Sequence, residues 1–213
     1  MLFEEATAIF ISIEGIEGAG KTTQVRLVSE QLRAAGFETV ATFEPGGTET
    51  GRRIREILLD NSFQHMTPLT ELLLYNAARA QHLAEVISPA IENRAVVITD
   101  RFTDSTIAYQ CYGRGLDKRL IMEIDKIATG GLRPDMTFLL DLSPNIGLGR
   151  NQAASKSDRF ELEPLVFHEK VRAGFLELAK TEPGRIKLID ASTDTAVVTK
   201  AIVAAIEERL RCR

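Results

Sequence analysis

The sequence predicts a doubly wound α/β fold, a parallel sheet with helices on both faces. Three observations carry that expectation. Five short runs rich in β-branched residues recur along the chain: "TAIFISIE", "ETVATF", "RAVVITD", "DMTFLLDL" and "RIKLID". Helix-like stretches lie between them, and strands that alternate with helices build parallel sheets. The first, third and fourth runs are close to continuously apolar, which suits strands covered on both faces.

Taken in order, "TAIFISIE" runs straight into "GIEGAGKTT", a glycine-rich turn from Gly15 to Thr23. In "TTQVRLVSEQLRAAG", Val25, Val28 and Leu32 share one helical face and Gly36 supplies the stop. "ETVATF" is the second strand. In "TPLTELLLYNAARAQHLAEVISPAI", Thr67 is the expected N-cap and Pro68 fits the first helical position. "RAVVITD" closes the third strand on Asp100, and "DMTFLLDL" is the fourth. Residues 149–161, "GRNQAASKSDRFE", are polar, small and charged between two helical patterns. The plain reading is a solvated loop; the sharper one is a mobile flap over a site. "RIKLID" is the fifth strand, and "DTAVVTKAIVAAIEERLR" repeats apolar residues at helical spacing before ending in charge.

There is no internal repeat and no low-complexity linker. The 213 residues, 44% hydrophobic, suffice for one sizeable core, so a single domain over residues 1–213 is expected. The net charge of −4, from 26 basic and 30 acidic residues, argues against bulk binding to nucleic acid or an anionic membrane. Cys111 and Cys212 lie far apart and form no CxxC pair, which argues against a disulfide framework and a zinc site. No apolar run approaches the roughly 20 residues a membrane helix needs. The start, "MLFEEATAIFISIEG", is acidic and enters a strand at once, unlike a secretory signal. A cytoplasmic location is expected.

"GIEGAGKT" fits GxxxxGK[ST] without a mismatch. The loop Gly15, Ile16, Glu17, Gly18, Ala19, Gly20, Lys21, Thr22 and Thr23 is read as the cradle of a nucleoside triphosphate. Glycines let backbone N–H groups turn inward around phosphate oxygens, and a helix N-terminus adds partial positive charge. Lys21 is expected to reach the β- and γ-phosphates, and the Thr22 hydroxyl to ligate Mg²⁺. Asp100, at the end of a buried strand, is the second expected metal anchor; the plainer reading, a cap for the next helix, is the minor one and gives way beside the phosphate loop. The loop points firmly to a triphosphate and only weakly to a reaction.

The chain carries arginines beyond what one triphosphate needs. Tyr75 and Arg79 are four apart on a predicted helix and project from one face, where a ring could stack a base and a guanidinium hold a phosphate. Alone, they read better as a snorkelling Arg above a core Tyr. Arg101 follows Asp100, and Thr106 and Tyr109 lie one turn apart beyond it. Three such clusters beside one phosphate loop shift the balance toward a second nucleotide site.

At this point the chain resembles the thymidylate kinase family of the bacterial type. The resemblance rests on "EGIEGAGKTTQ", "EPGGTETGRRIREILL", "LLYNAARAQH", "ITDRFTDSTIAYQCYGRG", "LRPDMTFLLDLSP" and "SDRFELEPLVFHEKVRAGFLELA", in family order and spacing. It implies a nucleoside monophosphate kinase-like fold in which ATP, with Mg²⁺, donates its γ-phosphate to dTMP. By position, Arg79 and Arg101 would clamp the acceptor phosphate and Tyr75 would stack on thymine. Thr106 would face the polar edge of thymine, and Tyr109 would crowd a ribose 2′-position. Glu17 and Pro45 would lie near the acceptor nucleotide. Residues 149–161 would be the lid over ATP, with Lys21, Arg101, Arg150 and Arg159 as catalytic charges. Family members are usually homodimers.

Four positions depart from the family pattern. Phe43 stands where the motif "REPGGT" has arginine, which predicts a weaker clamp. Tyr75 replaces the usual phenylalanine, so its hydroxyl needs a partner. The bacterial type has glycine at the Gly18 position and compensates with lid arginines. Here Gln152 and Ala154 stand where arginines are common, leaving Arg150, Lys156 and Arg159 to carry the charge or the enzyme slow. Two other readings stand beside dTMP kinase: a nucleoside monophosphate kinase of shifted base preference, and a nucleotide-sensing protein that has lost catalysis.

Overall fold

The computed structural model describes residues 8–153 and 158–211. Five strands form one sheet: β1 (Ile9–Glu14), β2 (Thr39–Phe43), β3 (Val96–Asp100), β4 (Met136–Asp141) and β5 (Ile186–Asp190). Their order is β2-β3-β1-β4-β5, and every pairing is parallel. All five coincide with the expected runs. The three near-continuous apolar runs are the three inner strands, as burial on both faces requires. Along β1, Ile9, Ile11 and Ile13 enter one core, while Phe10 enters a second core with Ile87, Val97 and Phe102. The sheet is therefore covered on both sides.

Helix α1 (Lys21–Ala34) leaves the glycine-rich turn with Val25, Val28 and Leu32 buried, as read from the sequence. Gly36, at φ +92°, follows its end in a conformation that costs other residues energy. Helix α2 (Glu49–Leu59) is capped by the Thr48 hydroxyl, which accepts from the Gly51 N–H. Helix α3 (Pro68–His82) begins with Pro68 at its first turn, and Thr67 Oγ1 accepts from the Thr70 N–H. The path then widens into a π-helical stretch, Leu83–Ile87, before α4 (Ser88–Glu92). Pro89 has no N–H and its ring would clash with the carbonyl four residues earlier, and the wider turn relieves that clash.

Helix α5 (Thr103–Thr106) also passes into a π-helical stretch, Ile107–Gly113, which carries Tyr109 and Gln110. Helices α6 (Lys118–Thr129), α7 (Pro144–Ala153), α8 (Leu165–Thr181) and α9 (Thr195–Arg211) complete the described chain. The polar segment expected over residues 149–161 starts inside a helix: Gly149–Ala153 is the last part of α7. Ala154 and Lys156 lie outside the described residues, as does Cys212.

The fold gathers chemistry at the C-terminal edge of the sheet. The loop after β1, Asp100 at the end of β3 and the turn after β5 all open there, where ligands bind in open α/β sheets. No helix among the described residues is long and apolar enough to cross a membrane.

Candidate active site

A cleft of about 980 Å³ crosses that edge. Because β2 and β5 lie on opposite sides of β1, it runs from Phe43 and Pro45, past the loop Glu17–Thr23, to Ala191, Thr193 and Thr195. Of the residues expected from sequence, Glu17, Gly18, Ala19, Gly20, Lys21, Thr22, Thr23, Pro45, Tyr75, Arg79, Asp100, Arg101, Thr106, Tyr109 and Arg150 line it. Gly15 and Ile16 stand behind the wall: Ile16 is buried in the core, and its carbonyl accepts from Lys21 Nζ at 2.7 Å.

Gly18 is required where it stands. Its φ is +71°, and a Cβ there would lie 2.2 Å from the Gly147 carbonyl oxygen of α7. The bare backbone lets α7 close on the loop, which brings Arg150 to it: Arg150 Nη1 donates to the Gly18 carbonyl at 3.2 Å. Lys21 is almost wholly buried with no carboxylate in ion-pair range among the described residues. Burial, and then the nearby Arg101, push its ammonium down to about 8. Thr22 Oγ1 donates to Asp100 Oδ2 at 2.6 Å, so the helix start and the end of β3 present a hydroxyl and a carboxylate side by side. Hard oxygens of this kind suit Mg²⁺, which takes few protein ligands and binds largely through phosphates. No cluster of three His, Cys, Asp or Glu residues that could hold a metal ion occurs among the described residues.

Arg101 is the hub of the cleft. Its φ of +73° is unusual for a residue other than glycine, and such strain clusters at functional sites. Nη1 donates to the Gly15 carbonyl at 3.1 Å and to Ser105 Oγ at 2.9 Å. Nη2 donates to Glu17 Oε1 and to Tyr109 Oη, both at 3.1 Å. Burial opposes its charge, but Tyr109, Glu17 and Asp100 outweigh that and raise its pKa. Glu17 is likewise penalised by burial, yet His168, Arg101 and Lys21 hold its carboxyl down at about 2. Tyr109 Oη donates to Glu17 Oε1, and its ring meets Phe160, Phe167 and Phe175 edge-on at 5.8, 6.2 and 6.1 Å. Tyr109 is therefore a fixed wall.

Two expected phosphate contacts look different in place. Arg79 reaches the cleft, but its Nε donates to Glu44 and its Nη1 to Asp125, each at 2.8 Å. It is 2% exposed and already balanced by two carboxylates, so here it is a paired cation in the cleft wall. Arg159 does not line the cleft. It is buried, with Nε donating to the Leu58 carbonyl at 3.0 Å and Nη2 to Glu71 Oε2. Glu71 also accepts from Arg114 and Gln110, so Arg159 fastens residues 158–163 to α3 and does not face the loop. The catalytic charge expected at Arg159 is therefore paired with Glu71 and set back from the cleft in this structure. Tyr75 is half-buried at the wall, and its hydroxyl has no hydrogen-bond partner among the described residues.

Sequence reasoning passed over several groups. Arg55 lies beside Phe43, its guanidinium 6.0 Å from the ring, with Nη1 donating to the Pro45 carbonyl at 2.9 Å. Among the described residues it has no carboxylate partner, and it stands in the quoted stretch "EPGGTETGRRIREILL". Gln110 lines the cleft one residue past Tyr109. Thr193 and Thr195 line the far end, and no motif announced them.

Glu14, at the end of β1, is fully buried and accepts from the Phe102 N–H at 2.7 Å and Ser105 Oγ at 2.6 Å. Burial, and then Asp104, raise it to about 8. The folded chain keeps a proton that the unfolded chain releases above about 4.5, so this contribution to stability is complete below that pH and is lost as pH rises to 8. Glu14→Gln should lose less Tm than wild type between pH 5 and pH 8, by several degrees. Equal losses in paired melting curves would show that Glu14 is ionised in the fold.

A thymidylate kinase family model matches residues 13–202. The thymidylate kinase of Geotalea daltonii is 48% identical over 208 residues, covering 94% of this chain and 97% of that one. That of Pseudomonas fluorescens strain SBW25 is 52% identical over 198 residues, covering 93% and 94%. The crystal structure of thymidylate kinase from Ehrlichia chaffeensis superposes with a TM-score of 0.77 at 32% identity, covering 94% of this chain and 99% of that one.

Proposed function

We propose a division of labour for this cleft on one premise: the chain belongs to the thymidylate kinase family, and its reaction moves the γ-phosphate of ATP to dTMP, giving dTDP and ADP. The observation that carries the assignment of residues is Arg101, one cation held between the loop carbonyl of Gly15 and the Glu17–Tyr109 pair. It stands where donor and acceptor phosphates must meet.

In this reading the loop Gly15–Thr23 cradles ATP, with Lys21 on its outer phosphates and Thr193 and Thr195 at the far end. Thr22 and Asp100 would hold Mg²⁺, which neutralises phosphate charge when bound. Arg101 takes the acceptor phosphate, joined by Arg55, whose charge has no carboxylate partner among the described residues and makes good the arginine missing at Phe43. Arg79 lies too deep in its carboxylate pair to act alone and shapes the wall. Tyr75 stacks on thymine and Thr106 faces its polar edge. Tyr109 refuses a ribose 2′-hydroxyl, because three aromatic rings leave it no room to yield. Arg150 approaches from α7 and adds charge beside the loop. Phosphoryl transfer asks the protein mainly for alignment and charge, which these residues supply.

Turnover tests this directly. With ATP as donor, dTMP should be phosphorylated faster than dUMP and far faster than UMP. Comparable rates with AMP, CMP or GMP would defeat the base assignment. The presence of Lys21, Thr22 and Asp100 in one cleft weighs against a sensor without turnover.

We also propose a homodimer in the cytoplasm. Leu69 and Leu73 share one exposed face of α3, and Leu120 and Ile127 share one of α6; α3 packs on α6. A solution mass of one chain at micromolar concentration would count against the dimer.

A further inference from the structure

The ring of His168, in the first turn of α8, is 1% exposed and meets the Phe167 ring edge-on at 5.5 Å. A phenylalanine would fill that space without a polar atom to bury. Its Nδ1 lies 3.3 Å from Glu17 Oε2, while Nε2 has no partner among the described residues. Only Nδ1 faces an acceptor, so a neutral ring carries its proton there. The contact is close but not yet in line, since Glu17 Oε2 has no aligned donor. Such bonds often tighten only when substrate arrives.

Glu17 needs this support. Its other oxygen, Oε1, already accepts from both Tyr109 Oη and Arg101 Nη2. A carboxylate held through one oxygen can still swing about it; a contact on the second oxygen fixes its plane. His168 supplies that contact from α8, an element that carries no other part of this cluster except the rings behind Tyr109.

We propose that His168 is a positioning residue for the acceptor nucleotide: its Nδ1–H steadies Glu17 from beneath the phosphate loop, and Glu17 in turn aims Arg101 and Tyr109. This rests on the reading that Glu17, Arg101 and Tyr109 face dTMP. His168 does not touch substrate, so its effect is transmitted through the carboxylate.

Two amide variants separate positioning from packing. In His168→Asn the amide N–H falls near the place of Nδ1–H; in His168→Gln it falls near Nε2. The KM values for dTMP and ATP are measured for wild type, both variants and Glu17→Gln, with melting curves for each. His168→Asn should keep its KM for dTMP within about twofold of wild type. His168→Gln should raise it about tenfold, the scale of one hydrogen bond to a charged group, and leave the KM for ATP unchanged. If the two variants behave alike, or if both substrates are affected equally, His168 is a packing residue and the proposal falls. If Glu17→Gln leaves the KM for dTMP unchanged, the acceptor-site reading of Glu17 fails and takes this inference with it. If Glu17→Gln weakens dTMP while both His168 variants match wild type, only the role of His168 is lost.

Discussion

Lys21→Ala should lower kcat/KM by about 10³-fold or more while the chain still folds cooperatively. The magnitude follows from preorganised charge at a transferring phosphoryl group, where single donors and cations are worth several kcal/mol. The fold should survive because Lys21 contributes little to it. Its Nζ donates to one backbone carbonyl, and no carboxylate lies in ion-pair range among the described residues. The sign of its charge term agrees. Burial brings the ammonium down to about 8, below its ordinary value of 10.5. The unfolded chain therefore binds that proton more tightly, and at pH 7 the folded chain carries the charge at a cost. Removing it takes away a penalty as well as one hydrogen bond, so Tm should stay within a few degrees. Loss of cooperative melting would mean that Lys21 holds the loop together. Near-normal turnover would mean that the loop does not grip the reacting phosphates.

The parts of this site that were legible in the sequence are those set by local chemistry. The phosphate loop is contiguous, and its backbone needs glycine at fixed spacing. The inner strands betray themselves because β1, β3 and β4 are covered on both faces and so lack polar alternation. What stayed hidden is which charge meets which. Arg159 and Arg150 read alike as lid arginines, yet Arg159 is neutralised by Glu71, 88 positions away, and Arg150 is not. Arg79 reads as an open cation, but Glu44 and Asp125 arrive from other elements to balance it. Arg55 was overlooked because its neighbour Phe43 comes from β2 and only the fold brings them together. The start of segment 149–161 read as loop because α7 buries only Pro144 and Gly147, leaving no apolar stripe for periodicity to detect. The widened turns at Leu83–Ile87 and Ile107–Gly113 have no periodic signature either.

That difference between Arg150 and Arg159 sharpens the expectation for Arg150. With Arg159 engaged by Glu71, and with Gln152 where the resemblance leads one to expect arginine, fewer charges of this segment remain to meet the charge that spreads in the transition state. Arg150 is exposed to the cleft, bonded at 3.2 Å to the Gly18 carbonyl and only loosely to the Ala191 carbonyl, and paired with no carboxylate among the described residues. Its charge is therefore available to phosphate, and α7 already rests on the loop through Gly147. A group that acts as charge moves lowers kcat when removed and leaves KM nearly unchanged. Arg150→Ala should thus cut kcat by about 10²–10³, below the full effect of an arginine finger because Lys21 remains. Gln152→Arg, two residues further along α7, should raise kcat. If Arg150 is only one more surface charge, its removal matters little, since such charges are screened by salt. Steady-state kinetics decide between the two. An unchanged kcat, or a loss confined to the KM for ATP, would leave Arg150 as a ground-state contact and move the transition-state charge to Lys21 and Arg101.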